Sequence, residues 1–206
     1  MSFPIDYSDR KHLGNTGVKV SAIGIGTWAI RDLVRAVDAL TYAVSLGLDM
    51  IDTAEMYANG DAEKIVGEVV RRVGRDNVFI TTKLLPERFV DREHAVKAAR
   101  ASLQRLGVKR VDLLLIHWPH PAVPIEKQVE ILESLAMDGY TEYIGVSNFD
   151  KNQLAIALES TKKHEIVVDQ VKYSVLDKRI ERDLLPFAIE NKVTCLLYTS
   201  DAADEL

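Results

Sequence analysis

Four polar residues stand at or just past the ends of apolar runs: Asp52 closing "LDMID", Tyr57 shortly after it, Lys83 following "FITT" and His117 following "LLLI". An acid, a phenol, an ammonium and an imidazole form a set in which one proton donor is tuned by three neighbours. A phenol with a pKa of about 10 is a reluctant acid at neutral pH, and an adjacent ammonium favours its phenolate. Lys83 is thus expected to lower the pKa of Tyr57, while the Asp52 carboxylate keeps a buried Lys83 charged. His117 can donate to a carbonyl oxygen and polarise its carbon for attack. No Ser/His/Asp arrangement and no cluster of metal ligands accompanies the set, so the attacking species, most simply a hydride, is expected from a cofactor. Singly, each residue has a plainer reading: a helix cap for Asp52, a loop aromatic for Tyr57, a solvated strand end for Lys83, a satisfied core histidine for His117. Their recurrence at consecutive strand ends is what favours the chemical reading.

The elements that would position them follow a regular beat. Seven short apolar segments recur, "AIGIG" near 22, "LDMID" near 48, "VFITT" near 78, "VDLLLIH" near 111, "YIGVS" near 143, "IVVDQ" near 166 and "VTCLLY" near 193. Their spacing is that of a strand plus a helix, about 30 residues. Between them, Leu33, Val37, Leu40 and Val44, then Val96, Ala99, Leu103 and Leu106, then Ile125, Val129, Leu132 and Leu135 recur as on one side of a helix. Asp61 and Asp91 read as N-caps, and Gly47, Gly107 and Gly139 as helix stops. Strands apolar at successive positions belong in a parallel sheet covered by helices. Ahead of them, "KHLGNTGVKVS" reads as an N-terminal β-hairpin turning around Gly14 to Gly17.

Two architectures compete for this beat. "GIGTWA" fits the dinucleotide pattern of an open doubly wound sheet, with Asp52 as its acidic ribose ligand. Yet Asp52 lies far beyond Gly26, and "TWAIRD" opens a helix poorly. Seven unbroken βα beats favour the (β/α)8 TIM barrel, whose functional groups gather at the C-terminal ends of several strands.

With 206 residues and 47% hydrophobic positions, the chain has enough apolar matter for one core, so a single domain over 1–206 is expected. A net charge of −5 without a long basic run argues against nucleic-acid or anionic-membrane partners. "MSFPIDYSDRKHLG" lacks an apolar signal core and no stretch is long enough to span a bilayer, which reads as cytoplasmic. The lone Cys195 allows no internal disulfide.

Taken in order, "GIGTWAI", "IDTAEMYANGDAEKIVG", "FITTKL", "SLQRLGVKRVDLLLIHWP", "YIGVSNF" and "VDQVKYSVL" resemble the aldo-keto reductases, from about Lys11 to Thr194. The resemblance implies a (β/α)8 barrel that binds NADPH, with NADH possible, and reduces a small aldehyde or ketone. It makes Tyr57 the general acid with Asp52, Lys83 and His117 as partners. It places Gly26, Thr27, Asp52, Ser147, Asn148 and Gln170 against the cofactor, the last three at the nicotinamide carboxamide, and makes Trp28 and Trp118 walls of the substrate pocket. No metal is implied, and a monomer or weak oligomer is expected. The plainer reading of "SNF" is an Asx-type turn leading into a helix at Asp150. Ala58, Ala62 and Asp169 depart from the family, which often has Gly, Ser and Asn there.

A complete barrel of this kind has eight strands and typically about 250 residues. The expectation here is an incomplete barrel of about six and a half βα units, the eighth missing, together with the loops that would hold the cofactor's phosphates. "CLLYTSDAADE" (195–205) resembles the conceptual translation of a transposase-type sequencing adapter, so residues 195–206 are expected to be a non-native tail. For that reason Tyr198, which falls where the family sets an aromatic ring against the nicotinamide, is given no role. Three other readings stand beside the reductase. One is an aldolase-like barrel with Lys83 as Schiff-base nucleophile, which Asp52 disfavours. Another is a non-catalytic, redox-sensing nicotinamide-binding subunit of the kind that partners ion channels. The third is an inactive fragment.

Overall fold

Each of the first six parallel strands feeds a helix that returns outside the sheet, and seven parallel strands thereby line up in chain order. The computed structural model describes residues 9–30 and 32–199, apart from the side chain of Leu33; residues 200–206 of the expected tail lie outside the described residues. The strands are β3 (Ile25–Gly26), β4 (Met50–Asp52), β5 (Phe79–Leu84), β6 (Val111–Ile116), β7 (Thr141–Ser147), β8 (Ile166–Lys172) and β9 (Thr194–Tyr198). All neighbours pair in parallel in the order β3-β4-β5-β6-β7-β8-β9. Helices α1 (Leu33–Ser45), α2 (Asp61–Val73), α3 (Arg92–Leu106), α4 (Ile125–Met137), α5 (Lys151–Ser160) and α6 (Leu184–Glu190) alternate with them. The sheet curls into a half-barrel that matches the (β/α)8 fold in part, with β3 and β9 as open edges. The architecture read from the seven apolar segments is therefore the one observed.

Alternating residues sort the strands into two layers. Leu114, Ile116, Ile80 and Val146 face the helices and pack with Val66, Val69, Leu132 and Leu135, all buried. Leu113, Leu115 and Val168 face inward and meet Leu13. Leu13 comes from the predicted hairpin, β1 (Arg10–His12) against β2 (Lys19–Ser21). The hairpin closes the bottom of the curl: a Cβ on Gly14 would lie 2.9 Å from the Val167 carbonyl oxygen, so only glycine permits that approach.

The helix ends follow the reading at Asp91, whose side chain accepts the His94 N–H, and at Gly107, which closes α3 in the left-handed conformation. Asp61 departs from it. Gly60, at φ +90°, is the residue that caps α2, and Asp61 is the first helical residue. The loop arrives in a left-handed conformation and leaves no extended position for an aspartate cap; the Asp61 carboxylate instead sits in the first turn, where the helix dipole favours it. Among the described residues no helix is long and apolar enough to cross a membrane.

Candidate active site

The C-terminal ends of β4, β5, β6, β7 and β8 open on one mouth, and the sequence-predicted residues meet there. Lys83 on β5 is fully buried. Its ammonium donates to Asp52 Oδ2 at 2.6 Å, to the Thr53 carbonyl at 3.0 Å and to Tyr57 Oη at 3.0 Å. Those three bonds use every proton an ammonium has. Asp52 is pinned in turn: Gln170 Nε2 donates to its Oδ1 at 2.8 Å, and both the backbone N–H and the hydroxyl of Thr27 donate to its carbonyl oxygen at 3.0 Å.

Tyr57 hangs on the loop after β4. Its N–H donates to the Ala54 carbonyl, and Glu55 fastens the same loop to the segment beyond β5 by accepting from the Leu85 N–H at 2.8 Å and Arg88 Nε at 3.1 Å. Beyond Tyr57 three residues in succession are left-handed, Ala58 at φ 48°, Asn59 at φ 54° and Gly60 at φ 90°. The Trp28 ring meets Tyr57 edge-on at 5.1 Å, and His117 meets it from another side at 5.7 Å. Trp118 lies flat on His117, 3.9 Å between centroids. Trp28 is 63% exposed and Trp118 39%, as walls of an open mouth would be.

The electrostatics correct one expectation. Burial raises the Tyr57 pKa, and the Asp52 charge adds to the rise; Lys83 pulls the other way, as anticipated, but desolvation is the larger effect. Tyr57 therefore holds its proton at neutral pH. Burial, and then the Lys83 charge, push His117 down to about 3, so its imidazole is neutral. Its Nδ1 is buried without a hydrogen-bond partner.

Ser147, Asn148 and Gln170 stand at adjacent strand ends, and each is already engaged, Gln170 through its Nε2 bond to Asp52. Ser147 Oγ donates to the Gln170 carbonyl at 2.8 Å. Asn148, at φ 61°, donates through Nδ2 to the His117 carbonyl and Ser147 Oγ, both at 3.1 Å, and its Oδ1 accepts from Tyr198 Oη at 2.7 Å. Among the described residues the Gln170 Oε1 takes no hydrogen bond and is an open acceptor. The Asx-type reading also holds, because Asp150 and Gln153 form a reciprocal capping box at the start of α5. Gly26 faces Asp52 across the β3–β4 ladder, with open space where a side chain would stand.

Sequence reasoning missed Glu55 and the Thr53 carbonyl. A backbone acceptor carries no residue signature, and an acid in a loop reads as solvated. Among the described residues no group of three or more His, Cys, Asp or Glu could hold a metal ion.

A profile described as the aldo/keto reductase family matches residues 22–200. The chain is 35% identical over 203 residues to the aldo-keto reductase YhdN of Bacillus subtilis, covering 91% of this chain and 60% of that protein. The chain thus spans less than two thirds of that relative's length. A crystal structure of a thermostable aldo-keto reductase with the inhibitor epalrestat superimposes with a TM-score of 0.84 at 38% identity, over 90% of this chain and 70% of the other. An aldo/keto reductase of Klebsiella pneumoniae in complex with NADP and acetate gives a TM-score of 0.81 at 34% identity, over 88% and 65%.

Proposed function

Because the chain belongs to the aldo/keto reductase family, we propose that it is an oxidoreductase converting a small aldehyde or ketone to an alcohol, with Tyr57 as general acid. The observation that carries this reading is the single ammonium of Lys83 bonded at once to Asp52 and to the Tyr57 hydroxyl. A nicotinamide cofactor would supply the hydride; NADPH is the proposed one, in line with the NADP bound by the Klebsiella relative, and NADH the alternative. Gly26, Thr27, Asp52, Ser147, Asn148 and Gln170 would line its place, and the free Gln170 Oε1 suits the N–H of a carboxamide.

The proton side of the reaction follows from the residues. Tyr57 carries its proton at rest and gives it to the carbonyl oxygen as charge builds there; the phenolate left behind is stabilised by the Lys83 ammonium 3.0 Å away. Asp52, 2.6 Å from that ammonium, holds it in place beside the phenol through the step. Neutral His117 keeps one ring N–H, through which it orients the substrate oxygen as a hydrogen-bond donor without adding a second positive charge beside Lys83. Trp28 and Trp118 confine the substrate between them. Hydride to carbon and proton to oxygen complete the alcohol. In this reading residues 1–206 act as one domain.

Tyr57→Phe tests the assignment. Turnover, followed by NADPH consumption with a small aldehyde, falls about 100- to 10,000-fold, while NADPH affinity measured by calorimetry stays within about twofold. Retained turnover overturns Tyr57 as the acid. Tight cofactor binding without turnover in the parent protein supports the redox-sensing subunit instead.

A further inference from the structure

We infer that Glu63 and Arg105, an ion pair outside the mouth, are positioning residues that set Tyr57 at bonding distance from Lys83. Glu63 lies in the first turn of α2 with no exposed side-chain surface, an unusual place for an acid. Each of its oxygens holds a different element. Oε1 accepts from Thr82 Oγ1 at 2.7 Å, on β5 and directly before Lys83; Oε2 accepts from Arg105 Nε at 2.6 Å, near the end of α3. Arg105 is steadied further by Nη2 donating to Ser102 Oγ at 3.0 Å.

The guanidinium stem in turn lies under the tyrosine loop. A Cβ on Gly60 would come 2.7 Å from Arg105 Cδ, so the loop rests against this side chain. Gly67, further along α2, makes the arrangement possible: a Cβ there would stand 2.8 Å from the Arg105 and Leu106 carbonyl oxygens, so the end of α3 reaches α2 only across a glycine. The loop needs a support. Ala58 and Asn59 hold left-handed backbones that cost about 1–2 kcal/mol each outside glycine, and such conformations persist only where the surroundings over-determine them. One buried carboxylate therefore spans the strand that carries the ammonium and the loop that carries the phenol. Its functional weight rests on the reading of Tyr57 as the acid.

The experiment reads the position of Tyr57 and not turnover, so its failure is distinct from failure of that reading. The phenol is titrated by NMR with ring-labelled tyrosine, the Tyr57 signal being assigned by its loss in Tyr57→Phe. In the parent protein Lys83→Met removes the one lowering charge and raises the Tyr57 titration by about 1 pH unit or more. In the Arg105→Ala background that response disappears, together with the through-space contact between the Trp28 and Tyr57 rings. Arg105→Lys, which keeps a cation facing Glu63, restores most of both. Glu63→Gln keeps the shape and removes the charge, and is read the same way should Arg105→Ala fail to fold. A full Lys83-dependent rise in these variants, with the ring contact intact and only the melting temperature lowered, would show the pair to be purely structural and overturn the inference.

Discussion

The middle of the molecule and its two flanks are built from the same βα unit, yet they bury their apolar residues to very different degrees. α2, between α1 and α3, buries Ile65, Val66, Val69 and Val70, and α4 buries Val129, Ile131, Leu132 and Leu135. At the first flank Val34 and Tyr42 of α1 face outward; at the last, Val175, Leu176, Ile189 and Leu197 do so, Val175 at 87% exposure. A helix on a curled sheet buries one stripe on its strands and two more on its neighbours, and among the described residues the flanking helices have a helical neighbour on one side only, while Val175, Leu176 and Leu197 lie in the loop after β8 and on the edge strand β9. Burial here is set by position in the row of units more than by the hydrophobicity of the unit. The residues proposed to handle the proton, Asp52, Tyr57, Lys83 and His117, come from β4 to β6 and their loops, the doubly supported middle.

The largest effect that tests this contrast is a core deletion. Leu114→Ala, on the central strand β6, is expected to cost about 2–5 kcal/mol in urea unfolding. A loss below about 1 kcal/mol would mean that the middle relaxes as freely as the flanks.

Asp169 on β8, near the boundary of the two regions, sharpens the contrast next. Among the described residues neither of its carboxylate oxygens has a hydrogen bond of good geometry, the Phe149 N–H approaching them without forming one. Burial pushes its carboxyl up to about 8, against partial help from the Phe149 N–H, with the Asp150 charge adding to the rise. The folded chain thus binds more protons at this site than the unfolded chain between the ordinary value of 3.8 and about 8. Stability from this group is full below that window and is lost as pH rises through it. Asp169→Asn is expected to remove the slope and to raise stability at neutral pH by on the order of a few kcal/mol; an unchanged pH–stability curve would show that water or rearrangement already satisfies the carboxylate.

Ala58→Gly is a smaller probe, inside the middle. It relieves a φ of 48° and is expected to stabilise the fold by up to about 1 kcal/mol, less the extra freedom glycine gives the unfolded chain. Smallest is Leu176→Ser at the flank, 80% exposed, which should change stability by less than about 0.5 kcal/mol while improving solubility. If it costs as much as Leu114→Ala, the exposed flank is packed in solution against something.

Much of this was readable in the residues. Each of the seven apolar segments became a strand, because residues flanked by sheet neighbours and covered by helices must be apolar at successive positions. Asp52, Tyr57, Lys83 and His117 were legible because strand ends in such a fold share one face. Less visible were features that depend on competition or on through-space partners. The direction of the Tyr57 shift required weighing burial against the Lys83 charge, and burial depends on Trp28 and His117 closing around the ring. Glu63, in the first turn of α2, carries no local sign of burial; only the seating of α3 against Gly67 puts Arg105 beside it. Gln170 bonding to Asp52 spans 118 positions of chain, and no local pattern reports such a pairing.

Trp28 and Trp118 are the two tryptophans of the chain, and both stand at the mouth, one on the edge of Tyr57 and the other stacked on His117. All of the protein's indole emission therefore originates within one ring contact of the groups that would handle the proton. Its intensity and colour would register whatever settles between those rings, while unfolding confined to α5 or α6 would pass unseen. The molecule carries its own optical gauge of the mouth, and that gauge needs no added label.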